Sequence, residues 1–322
     1  MTNWGIIGCG GIARKMADAL HKTEGVKLLA VAAREQERAD AFAKENGAER
    51  AYGSYAALAA DPDIDVVYVA TIHPTHAAAV KLCLNAGKHV LCEKPMGMSR
   101  QEDEEMFALA KEKNLLLMEA IWTRFLPAWR KAKELVESGA IGEVRTVFTD
   151  FSVLCGFDPE SRLFNMEKGG GGLLDLGVYS LHCALYMLGN DVDTVKASGR
   201  LSPTGSDNYA AVTVQFKNKT IAVATCGMDC IGGAGEGRIM GTNGSISLPG
   251  MMGADTCYLR QNGQPEQVFR FPYDNGFTFE VAEFQSLLAE GKTESAIADP
   301  ATTMTVAGII DEALAQINAY NA

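Results

Sequence analysis

Two separate stretches of the chain carry side chains that could do chemistry. Glu93-Lys94-Pro95 follows a short apolar run, His89–Cys92. If that run is a parallel strand, the lysine stands at its carboxyl end, where sheets of this kind bind ligands. A desolvated lysine gives up its proton more readily, and its long stem can reach a bound molecule. Pro95 stiffens the turn, and an X-Pro bond admits the cis form. Alone, the tripeptide reads equally well as a solvated Lys-Pro turn. The second stretch is Gly169-Gly170-Gly171-Gly172-Leu173-Leu174-Asp175-Leu176-Gly177-Val178-Tyr179. Asp175 and Tyr179 are four residues apart, which predicts a shared helix face. The glycines predict a backbone that passes very close to another group, with a nicotinamide ring as the candidate. A tyrosine beside an ammonium ionises more easily, because the cation favours phenolate. Such a phenol can take or return a proton while hydride moves. His182, one turn further on, is read as a packing histidine.

Hydride chemistry needs a carrier, and the N-terminus holds a pattern for one. Gly8-Cys9-Gly10-Gly11-Ile12-Ala13 fits G-x-G-x-x-A. Gly8 permits the tight turn, Gly10 lets a pyrophosphate approach the backbone, and Ala13 allows close helix–strand packing. The N–H groups of the following helix then face the phosphates. The second strand ends Ala32-Ala33-Arg34, with Arg38 four residues later. No carboxylate stands at that tip to bind a ribose 2′-hydroxyl, and two guanidinium groups can grip a 2′-phosphate. NADP is therefore expected over NAD. The other reading is that both arginines solvate a helix face beside Glu35 and Glu37. His73-Pro74-Thr75-His76 resembles a metal pair, but no acidic or cysteine partner is nearby. It is read as loop packing near the cofactor, and no metal is expected.

The surrounding pattern supplies the elements that must hold these groups. Strands are expected at Asn3–Gly8, Lys27–Ala32, Asp65–Ala70, His89–Cys92 and Leu115–Glu119. Helices are expected between them at Ile12–His21, Glu35–Asn46, Thr75–Asn85 and Arg100–Lys113, the last with Ser99 as N-cap. This alternation means an α/β fold: a parallel, Rossmann-type dinucleotide-binding sheet with right-handed crossovers. After about Trp122 the pattern changes. A helix at Pro127–Ser138 and a strand at Glu143–Phe151 lead to the glycine-opened helix that runs to about Leu188. Several strands follow between Thr194 and Phe271 without helices, and helices at Phe277–Glu290 and Pro300–Tyr320 close the chain. This predicts an α+β domain with a large, mostly antiparallel, open sheet. The expected domains are 1–121 and 122–322.

Length and composition agree. At roughly 100–200 residues per domain, 322 residues make two domains. Hydrophobic residues are 47% and charged residues 21%, which disfavours disorder. Lys and Arg total 29 against 40 Asp and Glu, a net charge of −11. That surface repels phosphate backbones and anionic lipid, so neither nucleic acid nor membrane is an expected partner. No apolar run of roughly 18 residues is evident, and no basic n-region precedes the first strand, so the cytoplasm is the expected compartment. Eight cysteines are sparse for a disulfide scaffold and are read as free thiols. Cys226 and Cys230 fall four apart in an expected strand, without the second pair a zinc site needs.

Taken together, these residues resemble the glucose-fructose oxidoreductase / inositol dehydrogenase / MocA (Gfo/Idh/MocA) family. The resemblance spans the chain: the Gly8-x-Gly10-x-x-Ala13 fingerprint, Glu93-Lys94-Pro95, and the glycine lead into Asp175-x-x-x-Tyr179. His73-Pro74-Thr75-His76, Val90–Pro95, Met118–Phe125 and Leu173–Tyr179 are most similar to its dimeric dihydrodiol / NADP-dependent D-xylose dehydrogenase branch. The resemblance implies that Lys94 and Tyr179 are the catalytic pair, with Asp175 orienting substrate or lysine. Trp122 would line the substrate pocket with them. The cofactor would contact Gly8, Gly10, Gly11 and Ile12, then Arg34 and Arg38, then Thr71, His73 and His76, and finally Glu93, Lys94 and Arg162. Relatives bury the open sheet face in a homodimer. The inositol-using branch has His where this chain has Tyr179, which disfavours inositol. The expected activity is NADP(H)-dependent hydride transfer at a hydroxyl or carbonyl carbon of a small sugar, polyol or trans-diol. A ketosugar reductase of the anhydrofructose type and a non-catalytic dinucleotide sensor are the alternatives.

Overall fold

The structure is a computed structural model that describes residues 1–232 and 235–321. In chain order, β1 (Thr2–Ile7), α1 (Gly11–Lys22), β2 (Val26–Ala32), α2 (Gln36–Asn46), β3 (Arg50–Tyr52), α3 (Tyr55–Ala59) and β4 (Val66–Val69) come first. They are followed by α4 (His76–Asn85), β5 (His89–Glu93), α5 (Arg100–Lys113) and β6 (Leu117–Ala120). Next are α6 (Pro127–Glu137), β7 (Val144–Ser152), α7 (Val178–Leu188), β8 (Val192–Leu201), β9 (Asp207–Phe216) and β10 (Ile221–Gly227). The chain closes with β11 (Glu236–Gly241), β12 (Gly244–Pro249), β13 (Thr256–Gln261), β14 (Gln267–Arg270), α8 (Phe277–Ala289) and α9 (Pro300–Asn321).

Met1–Trp122 and Asn275–Pro300 form one compact unit; Thr123–Asp274 and the chain from Ala301 form another. The segment Asn275–Pro300 thus joins the first unit, although the sequence pattern assigns it to the second.

In the first unit, six strands lie in the order β3-β2-β1-β4-β5-β6, all parallel. Helices cover such a sheet on both faces, so its strands are apolar throughout, as in the fully buried Val66-Val67-Tyr68-Val69. Leu58 of α3, Val80 and Leu84 of α4, and Met106 of α5 pack against Val67, Val69 and Val90. Ser99 caps α5 by accepting the Glu102 N–H at 3.3 Å, while Glu102 reaches back to the Met98 N–H at 2.9 Å. β3 and α3 are additions to the expected list. Arg50-Ala51-Tyr52 is too short to show an apolar run. The late helix α8 is tied down at its start by Asn275, whose amide donates to Lys15 O and to Asp18 Oδ2. Further along, Phe284 meets the buried Trp4 edge-on, centroids 5.2 Å apart.

In the second unit, eight strands lie in the order β14-β13-β12-β11-β7-β10-β9-β8. Every pairing is antiparallel except β7–β10. Strand alternation separates its two faces. The row Val195–Val214–Ala222–Val147–Ile239–Ile246–Leu259 is buried across seven strands. The next row, Lys196–Thr213–Val223–Phe148–Arg238–Ser247–Tyr258–Val268, is exposed or half-buried across all eight. α7 lies on the buried face: Thr149 Oγ1 donates to Ser180 O at 2.9 Å, and Ser180 Oγ to Thr225 O at 3.0 Å. α9 is pinned to β8 through Gln316, which accepts the Ala197 N–H and donates to Val195 O. Met166–Leu188 is long and apolar enough to cross a membrane, contrary to the expectation of no such stretch. Its apolar window is 89% buried inside the fold, because it is the core of this unit. Cys230 lies beyond the end of β10, so Cys226 and Cys230 do not share the strand expected to hold both. All eight cysteines are free thiols, and only Cys155 and Cys230 are not fully buried.

Candidate active site

Each unit assembles its own set of the expected residues. In the first, they all follow strand ends at the carboxyl edge of the parallel sheet. Gly8 succeeds β1 with φ of 98°, and a side chain there would run into the Ala70 carbonyl of the loop after β4. Glycine is therefore required at this turn. α1 begins at Gly11, with no side-chain cap and no acidic residue in its first turn. No heavy atom lies within 4 Å of a β-carbon placed on Gly10 or Gly11. Open space, uncapped N–H groups and a helix N-terminus fit the pyrophosphate of a dinucleotide. Ile12 is half-buried beside them.

Arg34 and Arg38 are both exposed past β2. Arg38 Nη2 donates to the Cys9 carbonyl at 3.4 Å, which brings the guanidinium to the glycine loop. Tyr55, at the start of α3, lies in the same charge field. Burial pushes its hydroxyl up while Arg34 and Arg38 pull it down. Sequence reasoning missed Tyr55, since nothing in its spacing marks it.

After β4, Thr75 Oγ1 donates to Thr71 Oγ1 at 2.8 Å, and His73 is buried edge-on against His76, centroids 5.8 Å apart. His76, expected to touch the cofactor, is 0% exposed. Its Nδ1 lies 2.9 Å from Pro95 O and its Nε2 3.1 Å from Thr71 O. The ring is a tie between two loops, and burial lowers its proton affinity. Glu93 is also buried, with both carboxyl oxygens bonded inside the fold. It accepts the Tyr68 hydroxyl on Oε1 in a very short bond, and the Lys94 N–H on Oε2 at 3.2 Å. Burial pushes its carboxyl up to about 7, against the pull of Tyr68 and Lys94. The Lys94–Pro95 bond is cis. Lys94 is 9% exposed. The turn after it is held by Glu119, a buried carboxylate that accepts the Met96 N–H at 3.0 Å. Trp122, after β6, stacks on Phe277 of α8, centroids 5.3 Å apart and planes 20° apart. Neither Glu119 nor Phe277 was singled out from the sequence. An isolated glutamate in an apolar run was the available signal for the first, and for the second there was none.

In the second unit, Asp175 and Tyr179 are not carried by one regular α-helix. Leu173–Gly177 forms a π-turn, and α7 starts at Val178. A π-turn inserted in a helix often marks a functional site. Asp175 Oδ1 accepts Arg162 Nη1 at 2.9 Å, and the Arg162 side chain is 51% exposed. Tyr179 is 5% exposed, with the Phe151 ring edge-on at 5.8 Å. His182 is fully buried within α7.

Gly170 and Gly171 make room for protein groups of the same unit. Gly171 has φ of 146°, and a side chain on it would overlap Asp207 Oδ1. One on Gly170 would lie 2.9 Å from backbone atoms of Leu163 and Asn165. Asp207, on β9, accepts the Leu173 N–H at 2.6 Å and so caps the π-turn. Burial pushes this carboxyl up to about 6, against the backbone N–H groups of Leu173 and Gly172. No group of three His, Cys, Asp or Glu side chains among the described residues could hold a metal ion.

Comparison with known proteins identifies the family and the fold. Residues 2–121 match the model of an oxidoreductase family with an NAD-binding Rossmann fold, GFO/IDH/MocA. Residues 129–247 match the C-terminal domain of the same family. The chain is 37% identical over 325 residues to a trans-1,2-dihydrobenzene-1,2-diol dehydrogenase of Danio rerio, covering 98% of this chain and 96% of the relative. It is similar in structure to a 3-ketoreductase from Actinomadura kijaniata in complex with NADP and TDP-benzene. That likeness has 26% identity and a TM-score of 0.87 and covers 98% of each chain. A levoglucosan dehydrogenase in complex with NADH shares the fold, at 23% identity and a TM-score of 0.89, over 98% of this chain and 96% of that one.

Proposed function

The chain belongs to the Gfo/Idh/MocA family of NAD(P)-binding oxidoreductases, and from that premise we propose that it moves hydride between NADP(H) and a hydroxyl- or carbonyl-bearing carbon of a sugar, polyol or trans-diol. One observation carries the reading. Lys94, almost fully buried and held by a turn that Glu119 and His76 brace, shares the carboxyl edge of one sheet with an open glycine loop.

When bound, the dinucleotide supplies the hydride acceptor or donor. Gly8, Gly10, Gly11 and Ile12 hold its pyrophosphate through the first turn of α1. Arg34 and Arg38 take the 2′-phosphate by charged, forked hydrogen bonds, which favours NADP over NAD. Thr71 and His73 complete that edge. The Lys94 ammonium holds the reacting oxygen, and the Tyr179 phenol takes or returns the proton on it. Asp175, steadied by Arg162, orients this pair, and Trp122 offers the sugar or diol ring an apolar wall. The diol substrate class follows the Danio rerio relative. The 3-ketoreductase likeness supports the second reading, in which the same groups run the reaction toward reduction of a ketosugar.

A second copy of the chain covers the open face of the eight-stranded sheet, giving a homodimer. Phe148 and Val223 lie mid-row on that face, where apolar side chains gain from cover. Eight unpaired thiols favour the reducing cytoplasm.

The test is a dehydrogenase screen with NADP⁺ and NAD⁺ against D-xylose, other aldoses, polyols and trans-dihydrodiols, run in both directions. Tyr179→Phe and Lys94→Ala should each lose roughly 10²–10⁴-fold in kcat/KM. Full turnover by either variant would refute the assigned roles. NADPH binding without oxidation by any sugar or diketone would favour a sensor.

A further inference from the structure

Met251–Gly253 is a single 3₁₀ turn between β12 and β13. Each of its three backbone carbonyls accepts a side chain from a distant part of the chain. The Trp129 indole of α6 donates to Met251 O, the Thr123 hydroxyl to Met252 O and the Tyr273 hydroxyl to Gly253 O, all at 2.8 Å. Carbonyls of a surface turn can bond water, so three successive side-chain donors make a built anchor. Trp129 and Thr123 are fully buried. A β-carbon on Gly237 would lie 2.8 Å from the Trp129 ring, so that glycine leaves the indole its space. The turn is itself fixed from behind, since the Gly250 and Met251 N–H groups donate to Gly235 O at 3.0 and 3.4 Å.

Two of the donors stand at marked places in the chain. Thr123 opens the second unit directly after Trp122, and Tyr273 comes just before the chain rejoins the first unit at Asn275. Trp122 and Phe277, which follow those two crossings on the far side, are the stacked aromatic pair. We propose that the Met251–Gly253 turn positions the Trp122–Phe277 wall for substrate, with Thr123 and Tyr273 as its positioning residues. The bond to Met252 O fixes the backbone one residue from Trp122, and the rotamer of a side chain follows its local backbone. Tyr273 does the same four residues before Phe277, and Asn275 between them accepts the Phe277 N–H at 3.0 Å. With both approaches anchored on adjacent carbonyls, the rings are ordered before substrate arrives, and binding does not bear the entropy of ordering them. This inference rests on the reading of Trp122 as the substrate wall, but the order of the stack can be measured without turnover.

The experiment is acrylamide quenching of tryptophan fluorescence in the full-length chain. Of its three tryptophans, Trp4 and Trp129 are fully buried and Trp122 is half-buried, so quenching reads Trp122. Thr123→Val and Tyr273→Phe remove one hydroxyl each at nearly constant shape, and both should raise the quenching constant. Thr123→Ser keeps the hydroxyl and should restore the wild-type value. The rise should vanish when Thr123→Val is combined with Trp122→Phe. Wild-type quenching in both single variants, no rescue by serine, or a rise that survives Trp122→Phe overturns the proposal. Tyr273 is half-buried, so Tyr273→Phe decides the matter even if Thr123→Val does not fold. With a working substrate, KM should rise roughly threefold to tenfold in each hydroxyl-free variant, while the Kd of NADP⁺ stays constant. Lower stability with unchanged quenching and KM would make the anchor merely structural and deny the positioning role. If no substrate is turned over, the hydride-transfer reading fails while the quenching result stands.

Discussion

The Asp207 carboxylate accepts the Leu173 backbone N–H at 2.6 Å and fills the space in front of Gly171. A single buried side chain on β9 thus accounts for the glycine at 171 and caps the π-turn that carries Asp175. Asp207→Ala would leave the Leu173 N–H without its acceptor in a buried setting. The expected loss is about 1–3 kcal/mol of stability, read by urea denaturation at neutral pH.

The same carboxyl gives a pH dependence of defined sign. Its affinity for a proton is raised on folding, from 3.8 to about 6. Between those values the folded chain binds more protons than the unfolded chain, so stability falls as pH rises from about 4 to about 6. Asp207→Asn should flatten that part of the curve. A wild-type-like slope in Asp207→Asn would assign the effect to another group.

Gly171→Ala places a methyl group on Asp207 Oδ1 at a φ of 146°. The cost is expected at about 1–3 kcal/mol for the backbone, with the clash added. Because Asp175 and Tyr179 follow directly, kcat should fall along with the melting temperature. Unchanged kcat in a destabilised variant would separate the turn from the catalytic groups.

Arg34→Ala and Arg38→Ala remove the proposed grip on the 2′-phosphate. Each charged hydrogen bond is worth about 1.5–3 kcal/mol, so Kd for NADP⁺ should rise roughly tenfold to a hundredfold per residue. Kd for NAD⁺ should stay nearly constant. Equal losses for the two cofactors, measured by titration calorimetry, would mean that neither arginine reads the phosphate.

Phe277→Ala takes away the ring on which Trp122 stacks. Phe277 is 3% exposed, so about 3–5 kcal/mol of stability should go with it. The loosened Trp122 should raise KM for substrate and leave the Kd of NADP⁺ unchanged. Phe277→Leu should recover most of the stability but not the KM.

The parallel sheet was legible because its strands are buried on both faces and so read as unbroken β-branched runs, as in Asp-Val-Val-Tyr-Val-Ala before Thr71. The fingerprint was legible because its glycines answer to a local turn and to open space, and Ser99 because capping is local. Lys94 and Tyr179 stood out through their neighbours in sequence. The rest depended on contacts between distant positions. The return of Asn275–Pro300 to the first unit places Phe277 against Trp122 and buries Glu280. The glycine run announced a close approach but not its partner, because Asp207 lies on another strand. His76 was assigned to the ligand, but both of its ring nitrogens lie against backbone carbonyls inside the fold, and only burial, a property of the folded chain, reveals that.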